Sequence, residues 1–156
     1  MKKIFTLLSI ALTSLSSFAQ PCTANTKSMK FDGTSTYIDL GTAAALAPDS
    51  AVTVEAWIKV SVFAAASHQN TIVSKDGWSA GEGGFVLRCG GSGILSFNIA
   101  GKSPLGVSNS WKEVTSPANS IPLNTWTHVA GTFDGTTLKC FVNGVQVGSL
   151  AYAGTI

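Results

Sequence analysis

Trp126-Thr127-His128-Val129-Ala130-Gly131-Thr132-Phe133-Asp134-Gly135, followed by Leu138 to Val142 and then Asn143-Gly144-Val145, is the stretch that decides the fold. Successive side chains of a strand point to opposite faces. Val129, Gly131 and Phe133 therefore share one face, and Trp126, His128, Ala130 and Thr132 share the other. Leu138, Cys140 and Val142 alternate in the same way with Lys139, Phe141 and Asn143. Asp134-Gly135 turns the first strand, and Asn-Gly takes the two positive φ values that a type I′ hairpin demands. Strands with one apolar and one mixed face, joined by tight hairpins, predict an antiparallel sheet whose apolar side packs on a second sheet.

Working outward, runs of four to nine residues rich in Val, Ile, Thr, Phe and Trp alternate with Gly-containing turns, and no helical period is sustained. Strands are expected near Ser28–Phe31, Tyr37–Leu40, Val52–Val60, Thr71–Ser74, Phe85–Cys89, Ile94–Ile99, Lys112–Thr115, Thr127–Phe133, Leu138–Val142 and Val145–Gly148. Val52, Val54, Ala56, Ile58 and Val60 form the core face of the third, leaving Thr53, Glu55, Trp57 and Lys59 opposite. Gly90-Gly91-Ser92-Gly93 reads as a looser hairpin, and Thr42–Ala47, before Pro48, as one helical turn. Gly101–Asn124, with Pro104, Pro117 and Pro122, is the most loop-like stretch and the expected site of mobility. The expected fold is all-β, a two-sheet antiparallel sandwich.

Of 156 residues, 12% are charged and 45% hydrophobic, which excludes charge-driven disorder and a long charged helix. Lys2 and Lys3 precede an apolar run from Ile4 to Leu15, and Ser17-Phe18-Ala19 has the small residues of a cleavage site, so residues 1–19 read as a secretory signal. The run is too short for a membrane span. Removing the signal takes two of the 10 basic residues and leaves 8 against 8 acidic ones. A net charge of zero offers no electrostatic basis for nucleic acid or an anionic membrane. Residues 20–26 form a short N-terminal segment, and the domain runs over 27–156.

In an exported protein Cys22, Cys89 and Cys140 meet oxidising conditions. Cys89 and Cys140 both point inward by parity, so a disulfide between them is one expectation. Buried free thiols are another, and Cys22 pairing outside this chain is a third. Their spacing fits no zinc pattern.

Met29-Lys30-Phe31-Asp32-Gly33, Tyr37-Ile38-Asp39-Leu40-Gly41, Val52 to Lys59, Ile72 to Gly77, Gly84 to Leu87 and the stretch from Trp126 to Gly144 together resemble a laminin-G-like (concanavalin A-like) jelly-roll module. The resemblance covers about Lys27 to Gly148. It implies one or two closing strands beyond Ile156, hence an N-terminal piece of a longer secreted protein, continuous with further domains. The same fold hosts lectins, glycan hydrolases, adhesive modules and spacers. Hydrolysis needs two facing carboxylates. Glu55, Glu82 and Glu113 are well separated, and neither His68 nor His128 accompanies a nucleophile motif, so no enzyme is expected.

In the resembled fold the strand bearing Glu55 and Trp57 neighbours the one bearing Trp126 and His128, all four on the non-core face. An indole flanked by polar groups suits a sugar, whose C–H face stacks on the ring while hydroxyls bond the polar groups. The other reading packs these rings under loops as scaffold. Trp78 and Trp111, in Gly- and Ser-rich surroundings, are further binding candidates, or rim covers for the core. The resemblance also implies a structural Ca²⁺ at the Phe-Asp-Gly turn of Asp32 and Gly33, although Asp32 also suits a plain turn. The expected function is carbohydrate or glycoconjugate recognition; a ligand-free adhesive module and an accessory domain of a glycan hydrolase are the alternatives. The expected partner is a glycan or an extracellular protein.

Overall fold

The computed structural model describes residues 26–43, 46–65, 70–75, 83–101 and 110–156. The chain divides into two units, Met1–Thr36 and Tyr37–Ile156, and the strands of the described residues all lie in the second. They are β1 Val52–Ile58, β2 Thr71–Lys75, β3 Gly84–Gly90, β4 Ile94–Gly101, β5 Ser110–Thr115, β6 Thr127–Phe133, β7 Thr137–Val142 and β8 Val145–Ala151. Two four-stranded antiparallel sheets result, ordered β1-β6-β7-β8 and β2-β3-β4-β5. This is the expected two-sheet jelly-roll sandwich.

Local chemistry sets the corners. Asn143 and Gly144 take φ of 49° and 78°, the two left-handed conformations a type I′ turn requires, which gives β7 and β8 their two-residue connection. Asp134 Oδ1 accepts from the N–H groups of Thr136 and Thr137 at 2.9 and 2.8 Å and so folds the chain from β6 into β7. A 3-10 turn at Gly91–Gly93, with Ser92 at φ 60°, joins β3 to β4. Leu46 N–H donates to Ala43 O at 2.9 Å; residues 44 and 45 of the turn expected before Pro48 lie outside the described residues.

Inward faces meet in one core. Leu87, Leu95, Phe97, Ile99, Val129, Phe133 and Leu138 are buried together, each contributing roughly 1.5–3 kcal/mol relative to exposure. β6 and β7 cross β4, and β7 and β8 cross β5. Close approach there depends on Gly131: a Cβ at that position would sit 2.4 Å from the Phe97 ring. The large ring of one sheet thus fills the space vacated on the other.

The loop ahead of β6 is anchored at several points. Ser116 N–H bonds Leu95 O at 2.9 Å, Ile121 N–H bonds Gly93 O at 3.0 Å and Asn124 N–H bonds Val60 O at 2.7 Å, while the Ile121 side chain is buried in the core. Val60 thereby serves the loop, and β1 stops at Ile58. Residues 102–109 of the expected mobile stretch lie outside the described residues.

Two expectations are corrected. Ser28–Phe31 and Tyr37–Leu40 form no strands. Extended chain becomes a strand only when its N–H and C=O groups join a ladder, and these segments join none; Met29, Phe31, Ile38 and Leu40 are exposed. Cys89 and Cys140 are free buried thiols, not a disulfide. Both do point inward, but Cys140 packs against β8 and β5, its Sγ 2.8 Å from where a Gly148 Cβ would lie. Cys89 lies on β3, two strands away from β5, and strands spaced ~4.8 Å apart put such positions past the ~7 Å that a disulfide spans.

Candidate functional site

The ladder between β1 and β6 builds the site. Its register places Trp57 opposite His128 and Glu55 opposite Ala130. Because β1 alternates Val52, Val54, Ala56 and Ile58 toward the core, Thr53, Glu55 and Trp57 are turned to solvent. The rings of Trp57 and His128 lie 5.4 Å apart between centroids, inclined at 58°, a tilted aromatic contact. Ala130 leaves room for Glu55 to lean diagonally along the ladder, and Glu55 Oε2 reaches His128 Nε2 at 3.4 Å.

Exposure decides how this cluster reads. Trp57 is 65% exposed and Trp126 48%, so neither indole is tucked under a loop. Trp126 precedes β6 at the parity of His128 and continues the same face. The backbone of His128 is held from behind: its main-chain N–H donates to Asn143 Oδ1 at 2.9 Å, and the Asn143 main-chain N–H donates to His128 O at 2.8 Å, fixing β6 against the β7–β8 turn. The Glu55 carboxylate is largely solvated while the His128 ring is mostly covered, and such a pair at the surface contributes at most about 1 kcal/mol to stability. Its consequence is orientation, with a carboxylate and an imidazole beside an open indole face.

Four of the six sequence-predicted binding residues are therefore brought together, namely Glu55, Trp57, Trp126 and His128. Trp111 is not; it belongs to β5 in the other sheet. Trp78 lies outside the described residues, as do Glu82, His68 and Cys22. Phe141 is a further residue of this face, one that the sequence reading misses: the register sets it beside Ala130 on the same outer side. Its alternation with Cys140 and Val142 was the available signal. Among the described residues of β1, β6 and β7 that share this outer face, Glu55 is the one carboxylate.

The Asp32 turn is complete in itself. Asp32 Oδ1 accepts from the N–H groups of Thr34, Ser35 and Thr36 at 2.9, 2.8 and 3.0 Å, and Oδ2 accepts from Ser35 Oγ at 2.8 Å. These bonds hold its carboxyl far below the ordinary carboxylate range. Calcium wants six to eight oxygens. Asp32 and Gly33 supply one carboxylate already engaged by four donors, and among the described residues no group of three His, Cys, Asp or Glu gathers as for a metal. The residues present do not fit a calcium site by themselves.

Two stacked antiparallel sheets, one carrying an exposed aromatic and polar cluster on its outer face, define a jelly-roll sandwich of the lectin-like class. The family model for the concanavalin A-like lectin/glucanase superfamily, in its laminin-G form, matches residues 32–156. The chain belongs to that family. No curated protein matches it. Domains of this type are commonly non-catalytic binding modules, typically extracellular, that meet glycans or other extracellular proteins. No helix among the described residues is long and apolar enough to cross a membrane.

Proposed function

We propose that this chain is a secreted, non-catalytic module that recognises carbohydrate or glycoconjugate through the outer face of β1 and β6, as part of a larger extracellular protein. The observation that carries the reading is the exposed Trp57 indole, inclined against His128 with Glu55 3.4 Å from the imidazole. A pyranose lays its C–H face on the indole while its hydroxyls bond the carboxylate and imidazole. Trp126 extends the platform for a second sugar unit. That Glu55 is the one carboxylate among the described residues of this face supports binding over hydrolysis, which needs two across one bond.

Glycan-array binding of the purified chain, with calcium and with chelator, tests the reading. Saturable binding to a defined set of glycans, unchanged by chelator, is expected. Silence across the array, with capture by an extracellular protein instead, would favour the adhesive alternative.

A further inference from the structure

Four strands lie at the edges of the two sheets, and three of them are guarded against further pairing. β2 slips register at Ile72 and β8 at Val147, and such bulges twist an edge away from a neighbour. On β5, Lys112 shares the inward parity of Val114 and sets its Nζ 5.4 Å from the centre of the Tyr152 ring; an inward charge at an edge also deters pairing. β1 has no such device. Its seven residues run against β6 without a slip and contain neither Pro nor Lys. Among the described residues no strand takes its other edge. Val52, Val54, Ala56 and Ile58 point inward yet each stays partly exposed, so one more strand beside β1 would complete the core there.

The same chain carries an unpaired segment of matching pattern. In Tyr37-Ile38-Asp39-Leu40 the apolar Ile38 and Leu40 alternate with Asp39 and are 53% and 70% exposed, and the segment joins no ladder in its own molecule. The lead-in to β1 is committed elsewhere. Asp49 O accepts from Ile156 N–H at 2.9 Å, and Ala47, Pro48 and Asp49 share the wall of a small cavity with Lys75, Gly84 and Phe85 of the other sheet. Beyond residue 19 the chain carries 8 basic and 8 acidic residues, so two copies do not repel.

We propose that the free edge of β1 binds Tyr37–Leu40 of a second copy of this chain, each copy lending its segment to the other. Main-chain hydrogen bonds of the added strand supply affinity, and the side chains that alternate along it supply register. With the apolar face inward and the strands antiparallel, Ile38 stands opposite Val54 and Leu40 opposite Val52, which sets Tyr37 beside Glu55 and Asp39 beside Thr53. A slip of two residues would oppose Asp39 and Glu55. Two β1 strands paired about their midpoint would oppose Glu55 with its own copy. Like charges directly across a ladder are destabilising, which favours the lent segment over both.

Sedimentation equilibrium of the purified chain under reductant, over about 1–100 µM, is expected to show a reversible monomer–dimer equilibrium. Ile38→Asp/Leu40→Asp should weaken the dimer at least about tenfold, with an unchanged circular dichroism spectrum because both positions are exposed in the single molecule. Disulfide trapping reads the pairing itself. On a Cys22→Ser background, mixed Tyr37→Cys and Glu55→Cys chains should form a disulfide between unlike copies, whereas Tyr37→Cys mixed with Ser149→Cys, on β8, should not. A chain that stays monomeric to about 100 µM, or a dimer indifferent to the double substitution, would overturn the proposal. So would a Tyr37→Cys/Glu55→Cys variant that closes its disulfide within one molecule.

Discussion

Trp57 and His128 face each other across the β1–β6 ladder with ring centroids 5.4 Å apart, and both rings lie on the side of the sheet turned away from the core. The pair is assembled by register alone. A shift of one residue would turn Trp57 inward and Ala56 outward, so the inward packing of Val52, Val54, Ala56 and Ile58 is what presents the indole.

Because Trp57 is 65% exposed, replacing it should hardly affect folding. Trp57→Ala is expected to change the unfolding free energy by no more than about 0.5 kcal/mol, read from urea denaturation. A loss several times larger would mean that the ring is structural.

Gly131 is the tightest point between the sheets. Gly131→Ala places a methyl 2.4 Å from the Phe97 ring, and such overpacking costs about 1–3 kcal/mol. Denaturant unfolding should show that loss, and Phe97→Leu combined with it should return part of the stability. An alanine variant as stable as the wild type would contradict the packing described.

The core thiols should resist modification. Burial pushes Cys89 and Cys140 up to about 11 from the ordinary 9.0, so both stay protonated and shielded in the folded protein. On a Cys22→Ser background, a thiol-disulfide reagent at neutral pH is expected to label neither until denaturant is added. The raised folded values also mean that stability present below pH 9.0 is lost as pH rises toward 11, because the unfolded chain releases these protons first. Rapid labelling of the folded protein, or a melting temperature flat across that window, would contradict the assignment.

Three N–H donors and one hydroxyl hold the Asp32 carboxylate, and Asp134 is held low in the same way by Thr136 and Thr137. Both contributions are present above the ordinary 3.8 and are lost as pH falls through the depressed folded values. A carboxyl-carbon titration should give midpoints below 3.8 for both residues. A midpoint at or above that value for Asp32 would mean that the turn does not persist in solution.

Much of the sandwich is legible in the sequence because face alternation and turn chemistry are local. Thr127–Phe133 follows from its period of two, and the Asn143-Gly144 turn from backbone conformations few other residue pairs accept. Partnership is not local. Ser28–Phe31 and Tyr37–Leu40 have the composition of strands, but composition does not supply a neighbour to complete their ladders. Parity sends Cys89 and Cys140 inward without saying which strands stack, and that stacking separates them. The Trp57 cluster could be anticipated once β1 and β6 were set side by side.

The central claim, glycan recognition by the β1–β6 face, is tested most directly by the binding isotherm of Trp57→Ala. It is measured against the wild type on the polysaccharide that binds best in the array, after circular dichroism confirms the fold. Affinity is expected to fall at least about tenfold, as for an aromatic residue at the centre of a binding surface. An isotherm superimposable on that of the wild type would contradict the account.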